Sequence, residues 1–201
     1  MISAKDYDKS ILMFSKIYRT AIIPNLCCIK VGAKPTNTQM MKIIMEINTI
    51  LHNLLFMTPY VYFVQPDSTG YGCRIVFSHE EYGWKRECYL DVVEFTPDEK
   101  IIWDKLSTDI YDTPLTMRAI NICNRAGMPI VGSLCVRTSN RIMKFRNCGK
   151  RTVDSMRDYL KTCGLDFNMN LTNHLKIAVS FAELNTRDTI THSDWILYRT
   201  N

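Results

Sequence analysis

The chain has 201 residues, of which 46% are apolar and 22% charged. That composition excludes a dominantly disordered protein and allows one large domain or two small ones. Eight glycines and seven prolines are too few for a fibrous or linker-rich chain.

The longest apolar region, residues 40–57, is interrupted by Lys42, Glu46, Asn48 and His52, so it does not read as a membrane span. Lys5, Asp6, Asp8 and Lys9 stand where a signal peptide would need an apolar run. A cytoplasmic protein without membrane contact is expected. The eight cysteines include no C-x-x-C pair and read as reduced, buried thiols, with neither disulfides nor a zinc site. The net charge of +5 is unevenly spread. Residues 115–165 hold ten Lys or Arg and two acids, Asp154 and Asp158, while the remainder is slightly acidic. Such polarity suits a protein with one region facing a polyanion.

Taken in order, Lys5–Thr20 spaces Ile11, Leu12, Phe14 and Ile17 as a helix does. Ala21–Val31, with Pro24 inside an apolar run, reads as an edge strand or as a buried loop. Met40, Ile43, Ile44, Ile47, Ile50, Leu51, Leu54 and Leu55 recur at helical intervals. Thr36 or Thr38 is the cap and Pro59 the stop. His52, beside this stripe, has no ligand-spaced partner.

The period then changes to that of strands: 60–65, 71–78 and 84–95, joined by turns at 66–70 and 79–83. Short connections imply an antiparallel meander, which the 40–55 helix covers. Thr96-Pro97-Asp98-Glu99 is a helix start with a capping box, and that helix should fade near Thr108. Residues 109–114 read as a linker open to proteolysis, with a domain boundary at about 110. Residues 171–201 are ambiguous: LKIAVSFAEL suits helix or strand, and Trp195, Ile196 and Leu197 suggest an edge strand.

The segment 114–167 carries the chemistry. A helix runs from Thr116 to Arg125 and Gly127 ends it. Short helical pieces follow, one of them capped by Thr138 or Ser139. Residues 146–150 then form a tight hairpin before a helix from Lys150 to Cys163, stopped by Gly164. Asn147 tolerates a left-handed backbone, and Gly149 lets the backbone approach a ligand closely. The helix start at Lys150, Arg151 and Thr152 offers free N–H groups, positive charge and a hydroxyl to an anion.

Two motifs then make a family resemblance, to the C-terminal domain of the bacterial RNA polymerase alpha subunit. Leu115-Thr116-Met117-Arg118-Ala119-Ile120-Asn121 is similar to the Leu-[Ser/Thr]-Val-Arg-x-x-Asn helix start of that family. Asn147-Cys148-Gly149-Lys150-Arg151-Thr152, with Gly164-Leu165 at the close, resembles its Asn-x-Gly-Lys-Lys-Ser hairpin and closing helix. Arg125-Ala126-Gly127 and Val131-Gly132-Ser133-Leu134 fit the family's turn into its second helix, and Cys148 departs from the family's bulkier apolar residue.

The resemblance implies a compact helix-hairpin-helix domain that binds double-stranded DNA in transcription. It places the minor-groove arginine at Arg118 and its partner asparagine at Asn121. Backbone-gripping positions fall on Gly149, Lys150, Arg151 and Thr152, beside Asn147. The first 110 residues do not resemble the alpha subunit.

The expected fold class is α+β. It comprises a three-stranded meander packed on helices over 1–110, an all-helical unit over 114–168, and a tail over 169–201 that packs on either domain. The N-terminal domain would supply dimerisation or a protein partner. A second reading is a protein-interaction or structural component, of a phage or mobile element, that reuses the helical unit for protein contacts. An exposed Arg118–Lys150–Arg151 patch favours DNA. Acid groups at Glu80-Glu81, Asp98-Glu99 and Glu87, Asp91 and Glu94 lack a catalytic pattern, His79 beside the first pair notwithstanding. No P-loop, G-x-G-x-x-G or Ser-His-Asp order is present. Neither an enzyme nor a cofactor is expected.

Overall fold

A computed structural model describes residues 4–187. The protein divides into two compact units, Met1–Glu94 and Phe95–Asn201.

The first unit opens with α1 (Ala4–Ile17), which continues through one π turn (Tyr18–Ile22) into α2 (Ile23–Leu26). The strand or loop expected from Ala21 is therefore helical as far as Leu26. Pro24 falls in the first turn of α2, where its missing N–H costs least. The Asn25 side chain donates to the Ala21 carbonyl at 2.8 Å. Ile22 and Leu26, one turn apart, are buried with Phe14 in the same core. Val31 makes only an isolated parallel bridge to Val93.

Thr36 starts α3 (Asn37–Leu55): its hydroxyl accepts from the Gln39 N–H, and Gln39 Oε1 accepts from the Thr36 N–H at 2.9 Å. Met40, Ile43, Ile44, Ile47, Leu51 and Leu55 form its buried face. The strands β1 (Tyr60–Pro66), β2 (Gly72–His79) and β3 (Lys85–Asp91) make an antiparallel sheet in the order β1-β2-β3. Tyr60 opposes His79, and Ile75 opposes Cys88. Tyr60, Val64, Cys73, Ile75, Phe77 and Cys88 point inward to the helices. Phe14 is the hub, with the Tyr60, Phe77 and Trp84 rings each 5.1 Å away. Trp84 Nε1 donates to Ser10 Oγ at 2.8 Å and ties α1 to the sheet.

His79 is buried, and its Nδ1 accepts from the Glu81 and Tyr82 N–H groups, which makes it a turn-holder. His52 is exposed beside Phe56. Glu87 is paired with Arg74, and Asp91 Oδ1 accepts from the Val93 N–H.

In the second unit, α4 (Pro97–Leu106) carries the expected Thr96/Glu99 capping box. A 3-10 turn over Ile110–Asp112 leads to α5 (Met117–Arg125), α6 (Val131–Cys135), α7 (Ser139–Met143), α8 (Lys150–Thr162) and α9 (Asn173–Arg187). The boundary expected at about residue 110 lies instead between Glu94 and Phe95. Leu106 and Ile110 are fully buried among Leu134, Met156, Leu160 and Leu175, so α4 belongs to the helical core. The supposed linker is also pinned: the Ile110 N–H donates to the Pro129 carbonyl and the Val131 N–H to the Thr108 carbonyl, each at 2.9 Å.

The ambiguous LKIAVSFAEL run is helical within α9, which packs on α4 and α6. Gly132 makes that packing close. A Cβ there would meet Val179 Cγ2 at 2.7 Å and the Leu106 carbonyl oxygen at 3.2 Å. Trp195, Ile196 and Leu197 lie outside the described residues. The architecture is α+β, with a three-stranded antiparallel sheet followed by a helical part. None of the described helices is long and apolar enough to cross a membrane.

Candidate nucleic-acid interface

Thr116 caps α5, its hydroxyl accepting from the Ala119 N–H at 3.3 Å. Ala119, Ile120, Ile122 and Cys123 turn into the core, which leaves Met117, Arg118 and Asn121 exposed on one side of the helix. The Arg118 guanidinium reaches the hairpin: Nε and Nη2 donate to the Asn147 carbonyl at 3.3 and 3.0 Å. Asn147 has φ +64°, the left-handed backbone expected of it. Cys148 is half-buried, and burial raises its thiol pKa.

Gly149 is the N-cap of α8 in extended conformation, and a Cβ there would meet nothing within 4 Å. Its freedom is thus one of access, because its backbone lies open to whatever approaches. The Gly149 carbonyl accepts from the N–H groups of Thr152 at 3.0 Å and Val153 at 3.2 Å. The N–H groups of Lys150 and Arg151, earlier in the same turn, have no intrahelical acceptor and sit at the positive end of the helix.

Lys150 and Arg151 are exposed, but Thr152 is buried. Thr152 stands at the expected position, yet its side chain faces the core and its N–H is already bonded. It is not among the groups this surface offers to a ligand.

Electrostatics favour an anion. No acidic residue lies between Asp112 and Asp154, and Asp154 is engaged with Arg157 at 2.9 Å. Arg137 is withdrawn from the surface charge by Glu183, which it meets at 2.5 Å. Arg141, Lys144 and Arg146 are exposed on α7 and the hairpin. They stand outside the expected site set, although the charge count of the segment already included them.

Residues 98–162 match the family described as the C-terminal domain of the bacterial RNA polymerase alpha chain. The match bears out the resemblance and begins inside α4, in keeping with the place of α4 in the helical core. The alpha subunit of DNA-directed RNA polymerase from Porphyromonas gingivalis is 30% identical over 89 residues, 43% of this protein and 27% of the relative. The Pelobacter propionicus alpha subunit is 31% identical over 72 residues, 34% of this protein and 21% of the relative. That of Desulfovibrio desulfuricans is 34% identical over 68 residues, 34% of this protein and 20% of the relative. The matched segment therefore spans about a quarter or less of the length of these relatives. The helical unit carries the similarity, and it brings Arg118, Asn147 and the start of α8 together.

Proposed function

We propose that the second unit binds double-stranded DNA in a transcription-related role. Arg118 and Asn121 enter the minor groove, and Gly149, Lys150 and Arg151 hold the flanking backbone. The observation that carries this reading is the seating of Arg118 on the Asn147 carbonyl, beside the open start of α8, in a stretch that has no acid between Asp112 and Asp154. A narrow minor groove concentrates negative potential, which an arginine fork senses without reading individual bases. Open helix N–H groups and Lys150 and Arg151 suit phosphate oxygens, which fix position and carry no sequence information. The similarity to alpha subunits of DNA-directed RNA polymerase supports the transcriptional setting. The contribution is binding and positioning, with no catalytic group assigned.

The test is duplex titration by fluorescence anisotropy at several salt concentrations, with A·T-rich and G·C-rich duplexes. Affinity should fall linearly with salt on logarithmic axes and favour A·T-rich DNA. Absence of binding at low salt would overturn the reading and leave the protein-interaction alternative.

A further inference from the structure

The sheet order leaves β1 at an edge. The Asp67 N–H donates to the Gly72 carbonyl at 2.9 Å and the Glu80 N–H to the Pro59 carbonyl at 3.2 Å, both continuing the β1–β2 register. Alternation along an antiparallel ladder then points the backbone groups of Val61, Phe63 and Gln65 at β2. Those of Tyr60, Tyr62 and Val64 point to the open edge. Among the described residues, nothing accepts from the Tyr62 or Val64 N–H. Proteins usually blunt such an edge with charge, proline or a bulge. Here residues 56–66 contain no Asp, Glu, Lys, Arg or His, and Pro66 blunts only the last position. Beside the edge, Phe63 is 61% exposed, Val61 42%, Phe56 65% and Met57 88%.

We propose that this edge pairs with the β1 edge of a second copy of the protein, antiparallel about a two-fold axis through Phe63. The sequence is self-complementary in that register. Tyr62 faces the second copy's Val64 on both sides of the axis, and each pair exchanges N–H···O bonds through the free edge groups. Phe63 faces its own image in a close, non-hydrogen-bonded pair, and Val61 faces Gln65. The missing N–H of Pro66 falls opposite Tyr60, at the end of the ladder. No charge meets its image, although the protein as a whole carries +5. A neutral strip is what an isologous contact between like-charged molecules requires. The pairing is independent of DNA binding.

Sedimentation velocity of the full-length protein across micromolar concentrations should show a dimer. Phe63→Lys and Phe63→Glu should each be monomeric, with the circular dichroism spectrum of the wild type because the ring is outside the core. Mixing the two variants should restore a heterodimer, since Lys and Glu then face each other across the axis. The Tyr62 and Val64 amides should exchange slowly in the wild type and rapidly in either variant alone. Three outcomes overturn the proposal: a wild type monomeric at every concentration, a dimer that survives both substitutions, or monomeric variants that form no heterodimer when mixed.

Discussion

Arg137 and Glu183 form a two-pronged ion pair, with Nη1 on Oε1 at 2.5 Å and Nη2 on Oε2 at 3.0 Å, each side chain only 12% exposed. Nη1 also donates to the Ser133 carbonyl at 2.6 Å. The pair joins α9 to the end of α6 across 46 residues of sequence. Removing one partner leaves a desolvated charge behind, so Glu183→Ala should destabilise the protein by about 3–5 kcal/mol. Replacing both, as Arg137→Met with Glu183→Leu, should cost far less than Glu183→Ala alone. Urea unfolding of the two variants compares them directly.

Gly132 is a second contact of the same kind. Ala there would press on Val179 and on the Leu106 backbone, an overpacking cost of about 1–3 kcal/mol. That cost exceeds the gain of about 0.5–1 kcal/mol in helix propensity. Gly132→Ala should therefore lower the Tm, and an unchanged or raised Tm would mean that α4 and α9 separate without penalty.

Glu99 gives the second unit a pH dependence. Burial alone would raise its pKa, but hydrogen bonds from Thr172 and the Thr96 backbone, with His174 nearby, hold it below the usual carboxylate value. A depressed folded pKa stabilises the fold fully above the unfolded value of about 4.3. The contribution is lost as pH falls from there through the folded pKa. In acid titrations followed by circular dichroism, Glu99→Gln should show a shallower loss of stability across that window.

On DNA, Arg118→Ala should cost about 1–3 kcal/mol and flatten the A·T preference. Lys150→Ala and Arg151→Ala should weaken binding to all duplexes alike, each lowering the salt slope by about one. Gly149→Ala is the structural control in reverse. Its Cβ meets nothing within the protein, so the fold should persist while backbone approach is obstructed and affinity falls. If the double variant Arg118→Ala, Arg151→Ala, still folded, bound duplex as tightly as wild type at low salt, this surface would not be the DNA site.

The cysteines should separate by reactivity. Cys27 and Cys28 are exposed, whereas burial pushes the Cys73, Cys123 and Cys135 thiols up to about 12 and Cys88 to about 11. At neutral pH, alkylation followed by mass spectrometry should label Cys27 and Cys28 first. The four buried thiols should react only after denaturation. Early labelling of Cys123 or Cys135 would show that the helical core opens readily.

Local chemistry made much of this protein legible in the sequence. The capping box Thr96/Glu99 sets a helix start because donor and acceptor lie three residues apart, whereas the choice of Thr36 over Thr38 as the cap of α3 was settled by its bond with Gln39. The alternation from Tyr60 to Asp91 gave the meander, and Asn147 its left-handed turn, for equally short-range reasons. What depended on distant residues was not legible. The sequence ties Pro24 to a break, but Ile22 and Leu26 need the same core as Phe14, and their burial outweighs the break. Thr96–Leu106 reads as the end of the first domain, until Leu106 meets Gly132 and α9. Thr152 reads as a phosphate ligand from its neighbours, yet the core takes its side chain.

Sequence alone thus determined the capped helices, the meander, the basic segment and the Arg118 and Asn147 motifs, since each rests on neighbours along the backbone. Tertiary structure decided where the units divide, that Arg137 answers Glu183 and that Arg118 rests on the hairpin, because burial and charge pairing act between residues that only folding brings together.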